Sequence, residues 1–170
     1  MIDIVKKAVS HANRGKRLED ILNRTNDTYA YLGLANIKKV PVPVHIYKRT
    51  GATFTGSFLK GEWVDYVGMV HGYSVIFDAK ETALMNLPLT NIAEHQFDIL
   101  DSWNDFGARS FLIVNFTKQE RYFYLSTDEL MNFKKRMDYG GRKSISLADF
   151  EEKGKELKIK DGYLDYLELL

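Results

Sequence analysis

The sequence predicts an α/β fold: a central β-sheet flanked by helices, in one domain spanning residues 1–170, with a basic β-hairpin at about 47–61. Three observations carry this. Val75 to Phe77 and Phe111 to Val114 are apolar at every position, the pattern of strands covered on both faces. Between and around them lie segments with helical spacing and helix-start residues. Finally, 170 residues, 45% of them hydrophobic, suit a single core.

The first sixty residues set up the flanks. Ile2, Val5 and Val9 suggest a short helix, and the basic loop Asn13 to Arg17 follows. Leu18, Ile21, Leu22, Thr25 and Tyr29 recur at helical spacing, so a helix is expected over Leu18 to Tyr31. Glu19 stands in its first turn, where any acidic residue complements the helix dipole. Val42, Val44 and Ile46 alternate, but Pro41 and Pro43 cannot donate ladder bonds, which makes the start of that segment an edge strand or an extended lead-in. Tyr47 to Gly61 has three glycines and no acid. Its bases Lys48, Arg49 and Lys60 and its aromatics Tyr47, Phe54 and Phe58 suit phosphate contact and base stacking, or an exposed hairpin packing on itself or a partner.

Beyond the centre, Asn91 with Glu94 reads as a helix cap. The helix runs to Phe106 and stops at Gly107, with Ile92, Ile99, Leu100, Trp103 and Phe106 as its apolar stripe. Gln96 falls inside the stripe, so it bonds either nearby backbone or the candidate site. His95 reads as a boundary residue. Ser110 to Phe116 and Arg121 to Leu125 form a hairpin, and Ser126 with Glu129 caps a helix carrying Leu130, Phe133 and Met137. Lys134, Lys135, Arg136, Arg142 and Lys143 surround Gly140-Gly141 and are read as phosphate contacts rather than as a plain solvated face. Ser146 and Asp149 start a short helix, and Gly162 precedes a final amphipathic segment.

The stretch Val64 to Thr82 carries the chemistry. His71-Gly72 separates two apolar runs and suits a two-residue turn. Val70 then pairs with Tyr73, and stepping back along both strands sets Asp65 opposite Asp78 on one face, roughly 5 Å apart at Cβ. Two like charges there call for a counter-charge. Lys80, two residues beyond Asp78, projects to the same face. A divalent cation supplies the rest, and hard oxygen ligands suit Mg²⁺, which also bridges to phosphates.

Composition narrows the class. The absence of cysteine excludes disulfides and Cys-ligated zinc, and fits a reducing cytoplasm. No apolar run has signal-peptide or membrane-span length, so a cytoplasmic protein is expected. The net charge of +1 argues against a uniformly basic nucleic-acid binder. The charge is uneven, however: residues 1–60 carry eleven Lys/Arg against four Asp/Glu, and residues 134–143 five against one.

Asp65 followed by Asp78-Ala79-Lys80 resembles the PD-(D/E)xK nuclease signature. A wider resemblance covers nearly the whole chain. NRGKRLEDILNRTN from Asn13, the Val-Pro-x-Pro-Val segment, YKRTGATFTGSF, DYVG through DAKET, PLTNIAEHQ and GGRKSI occur in the order seen in RecU-type Holliday junction resolvases of low-GC Gram-positive bacteria and their phages. The resemblance implies a restriction-endonuclease-like core with a mixed central sheet, and a Mg²⁺-dependent homodimer, with Mn²⁺ able to substitute, that nicks opposing strands of a four-way DNA junction. It also implies that Glu19 joins Asp65 and Asp78 as metal ligands, that Lys80 joins the catalytic set, that the basic hairpin is a stalk entering the junction, and that a RecA-type recombinase is a partner; Gln96, from its place in the helix stripe, is expected to complete the site. Phosphate contacts are expected from Arg14, Lys16, Arg17, Lys48, Arg49, Lys60, Arg142 and Lys143, with Phe54 and Phe58 as stacking residues.

The chain departs from the family at three points. Asp78 stands where Glu is usual, shortening the side chain by a methylene. Trp63-Val64 replaces small hydroxyl residues before the first Asp. The N-terminal arm is short, which points to a phage or minimal version and weakens recombinase binding. Two other readings remain open: a structure-nonspecific, restriction-type nuclease of the same fold, and a degenerate junction binder that modulates recombination without cutting.

Overall fold

The computed structural model describes residues 16–58 and 63–170. The expected helix at Ile2 to Val9, Arg14 and Lys60 lie outside them, as does the side chain of Phe58. Helix α1 (Lys16–Tyr31) leads into β1 (Ala35–Lys39), the hairpin β2 (Val44–Thr50) and β3 (Thr53–Phe58), and then the central pair β4 (Tyr66–Val70) and β5 (Tyr73–Thr82). After the short β6 (Asn86–Pro88) and a 3₁₀ turn (Leu89–Asn91) come α2 (Glu94–Asp105), β7 (Arg109–Phe116), β8 (Arg121–Ser126) and α3 (Thr127–Asp138). The chain closes with β9 (Ser144–Ser146), α4 (Leu147–Lys153), β10 (Lys155–Leu157), β11 (Ile159–Lys160), β12 (Tyr163–Leu164) and a second 3₁₀ turn (Leu167–Leu169).

A six-stranded mixed sheet, in the order β1-β4-β5-β7-β8-β10, divides the molecule. Only β5 and β7 run parallel, joined by the crossover through α2. Side-chain alternation sends Ile76, Leu112, Val114 and Leu125 to the face covered by α2, α3 and α4. Val75, Phe77, Phe111 and Ile113 go to the opposite face, under α1 and the C-terminal tail. There Tyr66, Phe77 and Phe111 stack across three strands at 4.7 and 4.8 Å between ring centroids.

The helical stripe of α1 is buried as its spacing predicts, from Leu18 to Tyr29. The tail clamps this helix. Tyr29 donates its hydroxyl to Asp165 Oδ1 at 2.8 Å, and Thr25 Oγ1 accepts from the Leu164 amide at 2.9 Å.

The prolines form the expected extended lead-in, between the edge strand Ala35–Lys39 of the main sheet and the separate hairpin, which begins at Val44 rather than at Tyr47. Three other expectations need correction. The N-cap of α2 is Ala93, because Asn91 is consumed by the 3₁₀ turn. Phe106 is 91% exposed, since the helix has ended and Gly107 turns the chain away at φ +85°. Phe97, outside the expected stripe, takes its place in the core beside Leu100.

Gly68 in β4 lies against β1: a Cβ there would stand 2.3 Å from the Asn36 carbonyl oxygen and 2.5 Å from the Ile37 Cα. Because both are backbone atoms, Gly68→Ala is expected to lower unfolding free energy by about 1–3 kcal/mol, read from urea denaturation midpoints.

Candidate active site

The turn His71-Gly72 forms as the sequence predicts, with Gly72 at φ +89° and Val70 paired with Tyr73. The ladder runs back in that register to Tyr66 opposite Phe77 and stops there. Asp65 is therefore the first residue beyond the ladder. Its main-chain carbonyl accepts from the Val40 amide at 2.8 Å, and its carboxylate Oδ2 accepts from the Ala79 amide at 3.0 Å. That bond aims the Asp65 carboxylate at the end of β5, where Asp78 begins the polar segment.

Asp78 is completely buried. Oδ1 accepts from the Gln96 amide nitrogen at 2.8 Å. Oδ2 lies 2.7 Å from Lys80 Nζ in an ion pair, and the Asp65 carboxylate adjoins. Gln96 Oε1 accepts from Lys80 Nζ at 3.0 Å and from the Ala93 amide at 3.1 Å. One side chain thus starts helix α2 and fixes both charged groups of the site. Burial first, and the neighbouring Asp65 charge second, push the Asp78 carboxyl up to about 7 against the pull of Lys80.

Glu19 comes from the first turn of α1 and lines a cavity of about 260 Å³ together with Lys39, Asp65 and Lys80. Its carboxylate is ion-paired with Lys39. The expected three-carboxylate metal set is accordingly not drawn together: among the described residues no group of three or more His, Cys, Asp or Glu is arranged to hold a metal ion. The attractions of Lys39 for Glu19 and of Lys80 for Asp78 account for this. The donor set nevertheless suits a hard cation. Asp78 Oδ2 is buried, and the Asp65 carboxylate adjoins that of Asp78, which is ion-paired with Lys80.

Sequence reasoning missed Lys39, at the end of β1 opposite Tyr66, and Glu81. Glu81 points to the α1 side of the sheet, where it accepts from the Leu18 amide and from Asn115 Nδ2, each at 3.0 Å. It caps the helix that carries Glu19. Alternation along DAKET would have placed it there, but its helix-capping partner is distant in sequence.

The basic residues divide. Lys48 and Arg49 stand on the separate β2–β3 hairpin, every residue of β2 is exposed, and Arg49 pairs with the 61%-exposed Phe54. Arg17 meets Glu120 at 3.4 Å, and Arg142 lies 3.7 Å from Asp149, both largely exposed. Lys16 is exposed at the start of α1. Lys143 donates no charge to the core; its carbonyl accepts from the Leu89 amide at 3.0 Å, which sets the Arg142-Lys143 turn beside the segment leading to Gln96. Lys134 and Arg136, expected as phosphate contacts, face acids: Lys134 pairs with Glu94, and Arg136 reaches the Ser144 carbonyl at 2.8 Å and Asp149 at 3.8 Å.

A mixed sheet whose third strand carries a carboxylate and a lysine two residues apart, met by a second carboxylate from the residue just before the neighbouring strand, is the arrangement that the PD-(D/E)xK resemblance implies. The chain belongs to the recombination protein U family, whose sequence model matches residues 13–170. The Holliday junction resolvase RecU of Pediococcus pentosaceus is 37% identical over 157 residues, covering 88% of this chain and 78% of that protein. That of Geobacillus kaustophilus is 33% identical over 175 residues, covering 97% and 86%. Among solved structures, the Holliday junction resolvase Hjc of Archaeoglobus fulgidus is similar at a TM-score of 0.48 and 14% identity, over 84% of this chain and 95% of its own, a likeness too slight to carry an argument.

The buried Asp78 makes a test of the electrostatics. An acid whose pKa is raised by folding keeps its proton longer when folded, so its contribution is intact below its ordinary value of 3.8 and is lost as pH rises to about 7. In chelator, Asp78→Asn removes that loss. Its stability relative to the parent protein is expected to rise across this window in urea melts at about pH 4, 6 and 8.

Proposed function

We propose that this chain is a metal-dependent endodeoxyribonuclease that resolves four-way DNA junctions by paired symmetric nicks. The observation that carries the reading is the meeting of Asp65 and Asp78 at the end of β5, with Lys80 and Gln96 bonded to the same carboxylate. Membership of the recombination protein U family supports the junction as substrate.

Asp65 and Asp78 would hold Mg²⁺ or Mn²⁺, with Glu19 added once it leaves Lys39. Bound there, the cation polarises the scissile phosphate and lowers the pKa of a water at neutral pH. Lys80 presents an ammonium, 17% exposed, beside these carboxylates and offsets charge developing on the phosphoryl oxygens. Gln96 holds Asp78 and Lys80 in register by bonding both, and its own rotamer is locked by the Ala93 amide. Lys48 and Arg49 on the hairpin, and Lys16, Arg17, Arg142 and Lys143 on the body, bind phosphates without reading sequence, and Phe54 stacks on a base. Arg14, Phe58 and Lys60 belong to the same proposal. A two-fold homodimer would match two cuts to the symmetry of the junction. A RecA-type partner rests on the resemblance alone. No described helix is long and apolar enough to cross a membrane.

Purified protein on labelled four-way junction and on linear duplex, with Mg²⁺ or chelator, tests the reading. Paired nicks are expected in the junction only with the metal, and Lys80→Ala should slow them about 100- to 1,000-fold. Asp78→Asn should abolish them while junction binding persists. Equal cutting of duplex would favour an unselective nuclease; binding without cutting would favour a recombination modulator. Binding isotherms over a salt series give a further check. Removing Lys48 and Arg49 together is expected to flatten the slope of log affinity against log salt by about 2.

A further inference from the structure

A second cavity, of about 590 Å³, is lined by Asp65 but not by Glu19. The extended arm from Val40 to Pro43, Trp63 and His95 also line it. Gln96 lines it as well, and Asp65 also lines the polar cavity that holds Glu19 and Lys80. The two spaces meet at a group of the cutting site. Trp63 is held by an edge-to-face contact with Trp103 at 5.9 Å and 85°, yet is 41% exposed. Two prolines stiffen the arm, and the arm runs directly into the basic hairpin at Val44.

We infer that this pocket takes an unstacked nucleobase next to the scissile phosphate and that Trp63 and the Pro41-Val42-Pro43 arm set which base is accepted; the inference rests on the nuclease reading and adds a source of cleavage preference to it. Volume and lining suit a flat heteroaromatic ring, in the size range of small-molecule sites. An aromatic wall gains from stacking any base, and gains more from a larger ring. The His95 imidazole supplies a polar group for a base edge. Stacking between duplex arms is interrupted at a junction crossover, so a base there is cheaper to splay out than one inside a duplex. Nothing in the site chemistry discussed above uses Trp63.

Two measurements on the full chain decide this. In Mg²⁺, cut sites are mapped on junctions that differ only in the base pairs at the crossover. The parent protein is expected to prefer some crossover bases by about tenfold, and both Trp63→Ala and Val42→Trp should reduce that preference to about twofold or less. Val42 is 54% exposed, so filling the pocket from its side leaves the core intact. In chelator, 2-aminopurine at the crossover should lose emission on binding the parent protein, and both variants should relieve that quenching. Unaltered preference in both variants, or emission that never responds, overturns the pocket. Quenching sensitive to both variants without any Mg²⁺-dependent cutting upholds the pocket and overturns the nuclease reading instead.

Discussion

The two-residue reversal at His71-Gly72 fixes the position of the site's central groups. A β-ladder carries side chains to alternate faces, so a slip of one residue would send Asp78 and Lys80 to the α1 face and Phe77 toward α2. The turn sets Val70 against Tyr73, and from there the register follows without freedom to Tyr66 against Phe77. Three stacked rings then hold it, because Tyr66, Phe77 and Phe111 keep their contacts only in this alignment. Asp65 and Asp78 are left as the next residues out, at the point where the strands part. The site is thus a consequence of where the hydrophobic ladder ends.

That position is costly for a carboxylate. Asp78 has lost all contact with solvent, and Asp65 beside it adds repulsion to desolvation. Gln96 offsets part of this by donating to Oδ1, and Lys80 offsets more by pairing with Oδ2. A buried group left in this state draws protons or cations. The same hydrogen bonds tie the site to folding. Gln96 Oε1 takes both the Lys80 ammonium and the first free amide of α2, so the start of the crossover helix cannot shift without disturbing Asp78.

Much of this was legible in the sequence, and the failures have physical causes. Periodicity revealed α1, the doubly covered strands and the central turn because burial imposes strict spacing on those residues. The Ser126 and Ser146 caps were legible because a hydroxyl three residues before an acid is a local signal. The start of α2 was misread for the same reason: Asn91 and Glu94 mimic that signal, while the true cap comes from Gln96, a polar residue inside an apolar stripe. Phe106 looked like core because spacing cannot see that a helix has already ended. Lys39 and Glu81 were invisible for a different reason. Their partners, Glu19 and the Leu18 amide, lie 20 and 63 residues away, and only the folded sheet brings them together.

The candidate groups are not anchored equally, and the difference bears on how the site assembles. Asp78 and Lys80 lie where β5 has parted from β4 but is still paired with β7, opposite Leu112 and Val114, and Gln96 is locked by the amide it caps. Glu19 rides on a helix pinned at one end by Glu81 and along its length by the tail, through Thr25, Asn26 and Tyr29. Its backbone is therefore as fixed as theirs, but its carboxylate is committed to Lys39. Lys39 and Asp65 line the same small cavity, so a cation held at Asp65 would have to compete with the Lys39 ammonium before the Glu19 carboxylate could join it.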